Sequence, residues 1–343
     1  MPNLTDFLTQ LESNLADWLF EGNILANRKE ICDRLSCLHT GYSQVRNNFY
    51  NLISDNTTAS SYAIYYGLIN AAKIYNLLEL LSADFTPSSI LDFGCGTGAA
   101  TLASMYRFES IKNVCLVEHN EFMTQTATRC IKNFNNNVAL DTFQIYEQIT
   151  NQNVTYDIIV AANSINEIPF NERIDLILAL IKKLSFNGYL IILEPGSLSI
   201  TRELMHLRQS LLNTKNIKIV YPCTHNNECA LLKLENQWCH SEITIDRPES
   251  IRVFDQFLNL NKHTISFSAL ILKNIDLNNF AQDEYRVITE PKDSKAGTTS
   301  YICGQNYQGL VMLQKRDRND QNRYFRKLKM HSTCGWINEF KKI

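Results

Sequence analysis

ILDFGCGTGAA, residues 90–100, places three of the chain's 12 glycines at alternate positions, Gly94, Gly96 and Gly98. An apolar run comes before these glycines and a helical pattern comes after them, so they occupy the turn between a strand and a helix. Residues without a side chain allow a tight turn, and they let backbone N–H groups at the start of a helix approach a ligand closely. The stretch therefore predicts a ligand-binding loop at the edge of an α/β sheet.

The sequence around this loop alternates between short apolar runs and helical stretches. The predicted strands are SSILDF, NVCLVE, TFQIY, YDIIVAA and YLIILE, and the predicted helices between them cover residues 99–106, 121–132 and 172–184. This alternation is typical of a parallel sheet whose strands are joined by right-handed crossover helices. We therefore expect a doubly wound α/β domain.

The sequence predicts four segments that differ in secondary structure, cysteine content and charge. Apolar residues recur at helical spacing between Leu4 and Leu19 and again between Tyr65 and Leu78. Short strands at 285–288, 299–303 and 310–315 predict a small C-terminal β region. The predicted boundaries are 1–82 for an N-terminal helical domain, 83–215 for the α/β domain, 216–305 for a cysteine-containing region with the last sheet strands, and 306–343 for a basic C-terminal segment.

Composition excludes several classes of protein. An apolar fraction of 45% argues against a disordered chain, and a net charge of −2 means that any nucleic-acid surface must be local. The sequence has no apolar run of about 18 residues, so we expect no membrane span. Its first 20 residues resemble neither a secretory signal nor an Arg-rich transit peptide, which favours the cytoplasm. In a reducing compartment the ten cysteines are expected to bind metal or to be buried.

The residues beside the glycines indicate a nucleoside ligand. Asp92 and the three glycines read D-x-G-x-G-x-G, which resembles the nucleotide loop of class I S-adenosylmethionine methyltransferases. The first two glycines with Ala99 also satisfy G-x-G-x-x-G/A, so a nicotinamide dinucleotide is the close alternative. Glu118, which ends the predicted strand NVCLVE, is placed to accept hydrogen bonds from ribose hydroxyls in either case.

Asn163 follows the strand YDIIVAA and is the candidate for holding the methionine part of the cofactor, although a turn or helix-capping role is the plain alternative. Methyl transfer needs positioning, plus a base where the acceptor must lose a proton. The stretch NSINEIPF does not match the Asn/Asp-Pro-Pro-aromatic motif of enzymes that methylate amino groups of bases. The catalytic residue therefore stays unknown, and whether the protein is an enzyme stays open.

Residues 221–243, YPCTHNNECALLKLENQWCHSEI, contain Cys223, Cys229 and Cys239. Their spacing matches neither the C-x2-C pairs of zinc ribbons nor ferredoxin runs, but three thiols so close together indicate a metal site. Soft sulfur ligands favour zinc or an iron–sulfur cluster. The residues that could supply a fourth ligand are His225, His240, Cys303 and Cys334.

These motifs together resemble one family. They are the loop with Asp92, an EPG turn at 194–196, P-C-x-H-x-x-x-C followed by WCH, and a later cysteine after Y-R-V-I-x-x-P. The family comprises methyltransferase-like assembly factors of the small ribosomal subunit in bacteria and mitochondria, and the resemblance runs from about Tyr62 through Gly309. This sequence departs from the family at Ala230, where a proline usually follows the second cysteine, and in a longer polar stretch before Cys303.

The resemblance implies a class I, Rossmann-like methyltransferase sheet with an S-adenosylmethionine pocket. It also implies a [4Fe-4S] cluster and binding to the RNA of the small ribosomal subunit during maturation, with or without methylation of that RNA. The implied cluster ligands are Cys223, Cys229, Cys239 and Cys303. Two alternatives remain, a non-catalytic RNA-binding assembly factor and a zinc-containing methyltransferase of a small molecule or protein.

Residues 315–342 are locally basic. Tyr324, Phe325 and Trp336 are interleaved with the cations, so the segment combines charges that neutralise phosphates with rings that stack on unpaired bases. The nine cations are Lys315, Arg316, Arg318, Arg323, Arg326, Lys327, Lys329, Lys341 and Lys342. We expect RNA and no DNA as partner, and the alternative is an ordinary solvated face.

Overall fold

A computed structural model describes residues 3–44, 52–150, 152–212, 214, 216–275 and 284–343. The chain divides into two compact units. The first unit comprises Met1–Leu193 and Ile243–Ile265, and the second comprises Glu194–Glu242 and Ser266–Ile343. The four-segment division expected from the sequence is a finer one and stays a prediction.

The N-terminal part of the first unit is helical, as the apolar spacing predicts. Its helices are α1 (Leu4–Phe20), α2 (Arg28–Gln44), α3 (Asn56–Tyr62) and α4 (Leu68–Leu78), and a π-helical turn at Ala63–Gly67 joins the last two. The Asn3 side chain accepts the N–H of Asp6 and caps α1, whose Phe7, Leu8 and Leu11 are buried.

Five parallel strands follow in the first unit, in the spatial order β3-β2-β1-β4-β5. They are β1 (Ser89–Phe93), β2 (Asn113–Val117), β3 (Ala139–Phe143), β4 (Tyr156–Ala162) and β5 (Leu184–Pro195). The connecting helices are α5 (Ala99–Arg107), α6 (Glu121–Phe134), the short α7 (Glu147–Thr150) and α8 (Phe170–Lys182). Strand order reverses between β1 and β4, and ligands of open α/β sheets bind at such a switch point, outside the carboxyl ends of the strands.

The core of this sheet explains why its central strands could be recognised. Ile90 pairs with Ile158 and Leu91 with Ile159, and all four side chains are fully buried. The outer strand β3 is mostly exposed, and the expected strand TFQIY at 142–146 is wrong by three residues, since β3 ends at Phe143. The predicted helix at 172–184 likewise begins and ends two residues earlier, and β5 begins at Leu184.

The second unit contains α9 (Leu198–Ser210) and the antiparallel pair β6 (Ile217–Tyr221) and β8 (Thr264–Asn274). Between β6 and β8 along the chain lie β7 (Ser241–Thr244) and α10 (Glu249–Leu258), and α10 belongs to the first unit. There Asp255 of α10 accepts hydrogen bonds from the Tyr65 hydroxyl at 2.7 Å and from Arg247 at 2.7 Å.

A second, antiparallel sheet completes the second unit, in the order β13-β9-β11-β12-β14 with β10 paired to β11. Its strands are β9 (Glu284–Val287), β10 (Lys292–Asp293), β11 (Gly297–Gly304), β12 (Gln308–Gln314), β13 (Thr333–Gly335) and β14 (Phe340–Lys342). Tyr285, Val287, Ile302, Val311 and Phe325 form its core.

The predicted class I, Rossmann-like fold with a helical N-terminal part and a small C-terminal β region is confirmed. Among the helices in the described ranges, none has both the length and the apolar character that crossing a bilayer requires.

Candidate functional site

The three glycines of the loop after β1 all adopt left-handed backbone conformations, with φ of +66° at Gly94, +52° at Gly96 and +82° at Gly98. A Cβ atom on Gly94 would lie 2.4 Å from Cβ of Ser164, and one on Gly98 would lie 3.1 Å from Cβ of Ala127. The loop therefore requires glycine for its backbone shape and for its close contact with neighbouring elements.

Asp92 fastens the start of α5 to β1. The backbone N–H and the hydroxyl of Thr101 both donate to Asp92 Oδ2, at 3.1 and 2.7 Å, which satisfies one of the free N–H groups in the first turn. The other oxygen, Oδ1, is buried and has no hydrogen-bond partner within the described residues. Burial raises the pKa of Asp92 to about 6.

Glu118 connects the end of β2 to the glycine loop. Its Oε2 accepts the N–H of Gly96 at 2.9 Å, and its Oε1 accepts the N–H of Asn120 at 2.9 Å. Burial raises the pKa of this carboxyl group, while the two backbone donors counteract that increase. The carboxylate therefore ties the glycine loop to the end of β2, beside the cavity that Gly94 and Glu118 line.

A cavity of about 680 Å³ lies outside the carboxyl ends of β1, β2 and β4 in the first unit. Gly94, Glu118 and Ser164 line it, together with parts of 144–147 and 167–179. This volume is typical of small-molecule sites. Its charged lining residues are Glu118, Glu147, Glu167, Glu172 and Asp175, with His119 beside them and no Lys or Arg in the described part of the wall.

Asn163 follows β4 with a left-handed φ of +57°. Its N–H donates to the Leu193 carbonyl at 2.7 Å, and its Nδ2 lies 3.3 Å from Oδ1 of Asn70. Non-glycine residues with this conformation cluster at functional sites, but Asn163 does not line the cavity described above. Its proposed contact with the methionine part of a cofactor stays a prediction.

Sequence reasoning missed Ser164, which lines the cavity and donates from Oγ to the Phe93 carbonyl at 3.0 Å. Its position directly after Asn163, in the loop that follows β4, is the signal that could have identified it. Tyr146 and the α8 carboxylates Glu172 and Asp175 were also missed. They carry no motif, and only the fold brings them to the glycine loop.

A second cavity, of about 40 Å³, lies within the second unit and is lined by Cys223, Cys229, Cys239 and Cys303. Cys303 reaches it from β11, which pairs with β9 and β12. The structure places Cys334 elsewhere, in the core of the antiparallel sheet. The three clustered cysteines and Cys303 are thus brought together, although nearly 80 residues separate the first from the last.

Burial raises the pKa of the thiols of Cys229, Cys239 and Cys303, and the neighbouring cysteines raise it further. These three thiols therefore stay protonated unless positive charge is added. Arg208 acts in the opposite direction on these three thiols.

Arg208 and Arg286 both line the thiol cavity. The Nη atoms of Arg208 donate to the carbonyls of Asn227 at 2.6 Å and His225 at 2.7 Å, but its buried Nε has no partner within the described residues. Arg286 donates to the carbonyls of Pro222 at 2.7 Å and His331 at 2.8 Å. The described lining of the cavity contains these two guanidiniums and no carboxylate, so the cavity suits an anionic group.

The two histidines of the cysteine segment occupy different positions. His225 is buried, and its Nε2 lies 3.0 Å from Cys303 Sγ. Burial, with a smaller contribution from Arg208, lowers the pKa of His225 to about 4. His240 stacks on Trp238 and does not line the cavity.

No group of three or more His, Cys, Asp or Glu side chains in the described part of the chain is positioned to hold a metal ion. The four thiols thus share a cavity without converging on one point. A single tetrahedral zinc ion with Zn–S bonds of about 2.3 Å would need its sulfurs about 3.8 Å apart. A four-iron cluster instead binds each of four thiolates at a different corner, so four cysteines that line one cavity without meeting at a point fit a cluster better than one ion.

The basic segment lies in the second unit, and eight of its nine cations are exposed. Arg318, the exception, is half-buried and pairs with Asp293 at 2.5 Å. The expectation that Phe325 is available to stack on bases is wrong, because this ring is fully buried in the core of the antiparallel sheet. Tyr324 is exposed, whereas Trp336 is half-buried with Lys342 Nζ 5.5 Å from its ring centre.

Comparison with known proteins gives one family. A family model described as mitochondrial small ribosomal subunit Rsm22 matches residues 56–327. No curated protein matches the sequence.

Several solved structures, two of them described as methyltransferases, are remotely similar. The plantazolicin methyltransferase BpumL in complex with SAH is 13% identical, with 79% of this chain and 99% of that chain covered and a TM-score of 0.39. The N-methyltransferase NodS from Bradyrhizobium japonicum WM9 is 12% identical, with 60% and 87% covered and a TM-score of 0.39. TehB from Haemophilus influenzae is 15% identical, with 60% and 62% covered and a TM-score of 0.37.

Proposed function

Because the chain belongs to the mitochondrial small ribosomal subunit Rsm22 family, we propose that it binds S-adenosylmethionine and a [4Fe-4S] cluster and acts on the small ribosomal subunit through its RNA. Its place of action is then the compartment in which that subunit is assembled. The family description names mitochondria, and the cytoplasmic location expected from the sequence stays a prediction.

The observation that carries the cofactor proposal is the cavity beside the glycine loop. It combines the loop, Glu118 and a volume suited to a nucleoside with a wall that has five carboxylates and no Lys or Arg among its described residues. S-adenosylmethionine has a net charge of +1, from a sulfonium, an amino group and a carboxylate, and such a wall attracts this net positive charge. The pyrophosphate of a nicotinamide dinucleotide would be repelled, and this favours the sulfonium nucleoside over that alternative.

The thiol cavity supports the cluster. Cys223, Cys229, Cys239 and Cys303 supply the four thiolates that a [4Fe-4S] cluster takes. A cluster with four thiolate ligands is anionic, and the guanidiniums of Arg208 and Arg286 would compensate that charge. When bound, the cluster would supply one-electron redox chemistry and would link four separate points of the second unit. With all four irons ligated by cysteine, no iron would be open to S-adenosylmethionine.

RNA binding is the third part of the proposal. Eight exposed cations between Lys315 and Lys342, with Tyr324 exposed among them, provide charge for phosphates and a ring for an unpaired base. Folded RNA of the small subunit offers both.

The test uses full-length protein purified without oxygen. We expect a brown protein with about four iron and four sulfide per chain, and calorimetric heat on titration with S-adenosylmethionine but not with NAD. A colourless protein that contains zinc would replace the cluster with the zinc alternative. Binding of NAD without binding of S-adenosylmethionine would refute the cofactor assignment.

A second measurement separates an enzyme from a factor that holds the cofactor without turnover. Small ribosomal subunits are incubated with the protein and methyl-labelled S-adenosylmethionine. Label in the subunit RNA would identify a methyltransferase, and cofactor binding with unlabelled RNA would identify a non-catalytic assembly factor.

A further inference from the structure

His225 lies beside the thiol cavity, and because four cysteines line that cavity, His225 is not needed as the fourth metal ligand. We propose that His225 is a positioning residue that donates a hydrogen bond from Nε2 to Sγ of Cys303 and thereby stabilises the reduced state of the iron–sulfur cluster. This inference rests on the cluster proposed above, and it concerns the residue's effect on one ligand of that cluster.

The proton on the His225 ring can be assigned from its neighbours. The backbone N–H of Asn227 donates to Nδ1 at 3.1 Å, so Nδ1 is an acceptor and carries no proton. In a neutral imidazole the proton then lies on Nε2, which is 3.0 Å from Cys303 Sγ. The sulfur therefore accepts this hydrogen bond.

Both partners are held in place by further hydrogen bonds. Arg208 donates to the carbonyls of His225 and Asn227. The Asn227 side chain donates to the Gln305 carbonyl at 2.7 Å, which ties the loop of His225 to the chain just after Cys303. The ring is 1% exposed, so water does not compete for the bond.

A hydrogen bond to a ligand sulfur acts on the charge of the cluster. Reduction adds one electron, and part of the added negative charge resides on the thiolates. A donor at one thiolate stabilises the reduced form more than the oxidised form and raises the reduction potential. Loss of the donor is therefore expected to make the potential more negative.

Two substitutions separate the donor from the bulk of the ring. His225→Asn keeps an acceptor near the Nδ1 position but has no donor that reaches Cys303. His225→Gln can place an amide N–H near the Nε2 position. His240→Asn is the matched control, because His240 follows the proposed ligand Cys239 but lies outside the cavity.

The experiment is a redox titration of full-length, anaerobically purified protein, followed by electron paramagnetic resonance. Iron and sulfide are counted first. We expect a more negative midpoint potential for His225→Asn, recovery of most of that shift in His225→Gln, and no shift in His240→Asn. Iron-loaded His225→Asn with the potential of the unmodified protein would overturn the inference.

Two further outcomes are also decisive. If His225→Asn retains too little iron to titrate, the iron content of the purified variants replaces the potential. More iron in His225→Gln than in His225→Asn supports the donor, and equally low iron in both shows that only the ring's volume matters. If the unmodified protein contains no iron, the proposed cluster itself is refuted.

Discussion

Gly94→Ala tests whether the loop after β1 forms the cofactor site. The new methyl group would lie 2.4 Å from Cβ and 3.1 Å from Oγ of Ser164. Both distances are below van der Waals contact, and the φ of +66° is unfavourable for alanine. The loop or the residues after β4 must therefore move.

The cost can be worked from these contacts. A left-handed backbone costs a non-glycine residue about 1–2 kcal/mol. Displacing Ser164 also breaks its hydrogen bond to the Phe93 carbonyl, which is worth about 1 kcal/mol. We expect a loss of about 2–3 kcal/mol in unfolding free energy. In a chain of 343 residues that corresponds to a decrease of about 3–4 °C in Tm.

Two measurements check the substitution, thermal unfolding and calorimetric titration with S-adenosylmethionine. We expect at least a tenfold weaker affinity, since the displaced loop and Ser164 both line the cavity. Gly335→Ala is the control, because a methyl group there meets nothing within 4 Å. It should leave both quantities nearly unchanged. Unchanged affinity in a destabilised Gly94→Ala protein would refute the placement of the ligand at this loop.

Three further predictions follow from the same structure. Burial raises the pKa of Asp92 to about 6, so between about pH 4 and 6 the folded state keeps a proton on Asp92 that the unfolded state has lost. The contribution of Asp92 to the free energy of unfolding therefore decreases as pH rises through that window. Asp92→Asn should weaken this dependence of the unfolding free energy on pH, measured by chemical unfolding across that range. An unaltered dependence on pH would contradict the raised pKa of Asp92. Cys239→Ser should lower both the iron content and the Tm, whereas Cys334→Ser should retain the full iron content, as measured by iron analysis. Equal loss of iron in both variants would argue against the proposed cysteine ligands. Replacing Arg326 and Lys327 with Ser should weaken binding to small-subunit RNA, and it should reduce the slope of log affinity against log salt concentration by about 1.4–1.8. RNA binding that does not change with salt concentration would exclude a phosphate-contacting surface.

Sequence alone could predict the features that depend on local backbone requirements. Gly94, Gly96 and Gly98 were recognisable because each needs a conformation that other residues rarely adopt. Tyr65 and Leu78 were recognisable as core positions because both belong to an apolar pattern at helical spacing, and both are fully buried. The fold class followed from the alternation of apolar runs with helices.

Features that depend on long-range contacts could not be predicted in this way. The hydrogen bond between His225 and Cys303 joins residues 78 positions apart, and no local sequence pattern near either residue predicts it. The limits of β3 were misplaced because an exposed edge strand has no apolar pattern. Phe325 was assigned to a basic surface because its neighbours are cations, yet a short turn directs its ring into the core.

The carboxylates around the first cavity have a consequence for the cofactor's two states. Donation of the methyl group converts a sulfonium into a neutral thioether, so the spent nucleoside has one positive charge fewer. If the cavity binds S-adenosylmethionine as proposed, a wall of five acidic side chains would hold the charged form more tightly than the spent one. The fraction of protein with bound methyl donor would then depend on the ratio of methyl donor to by-product in the compartment.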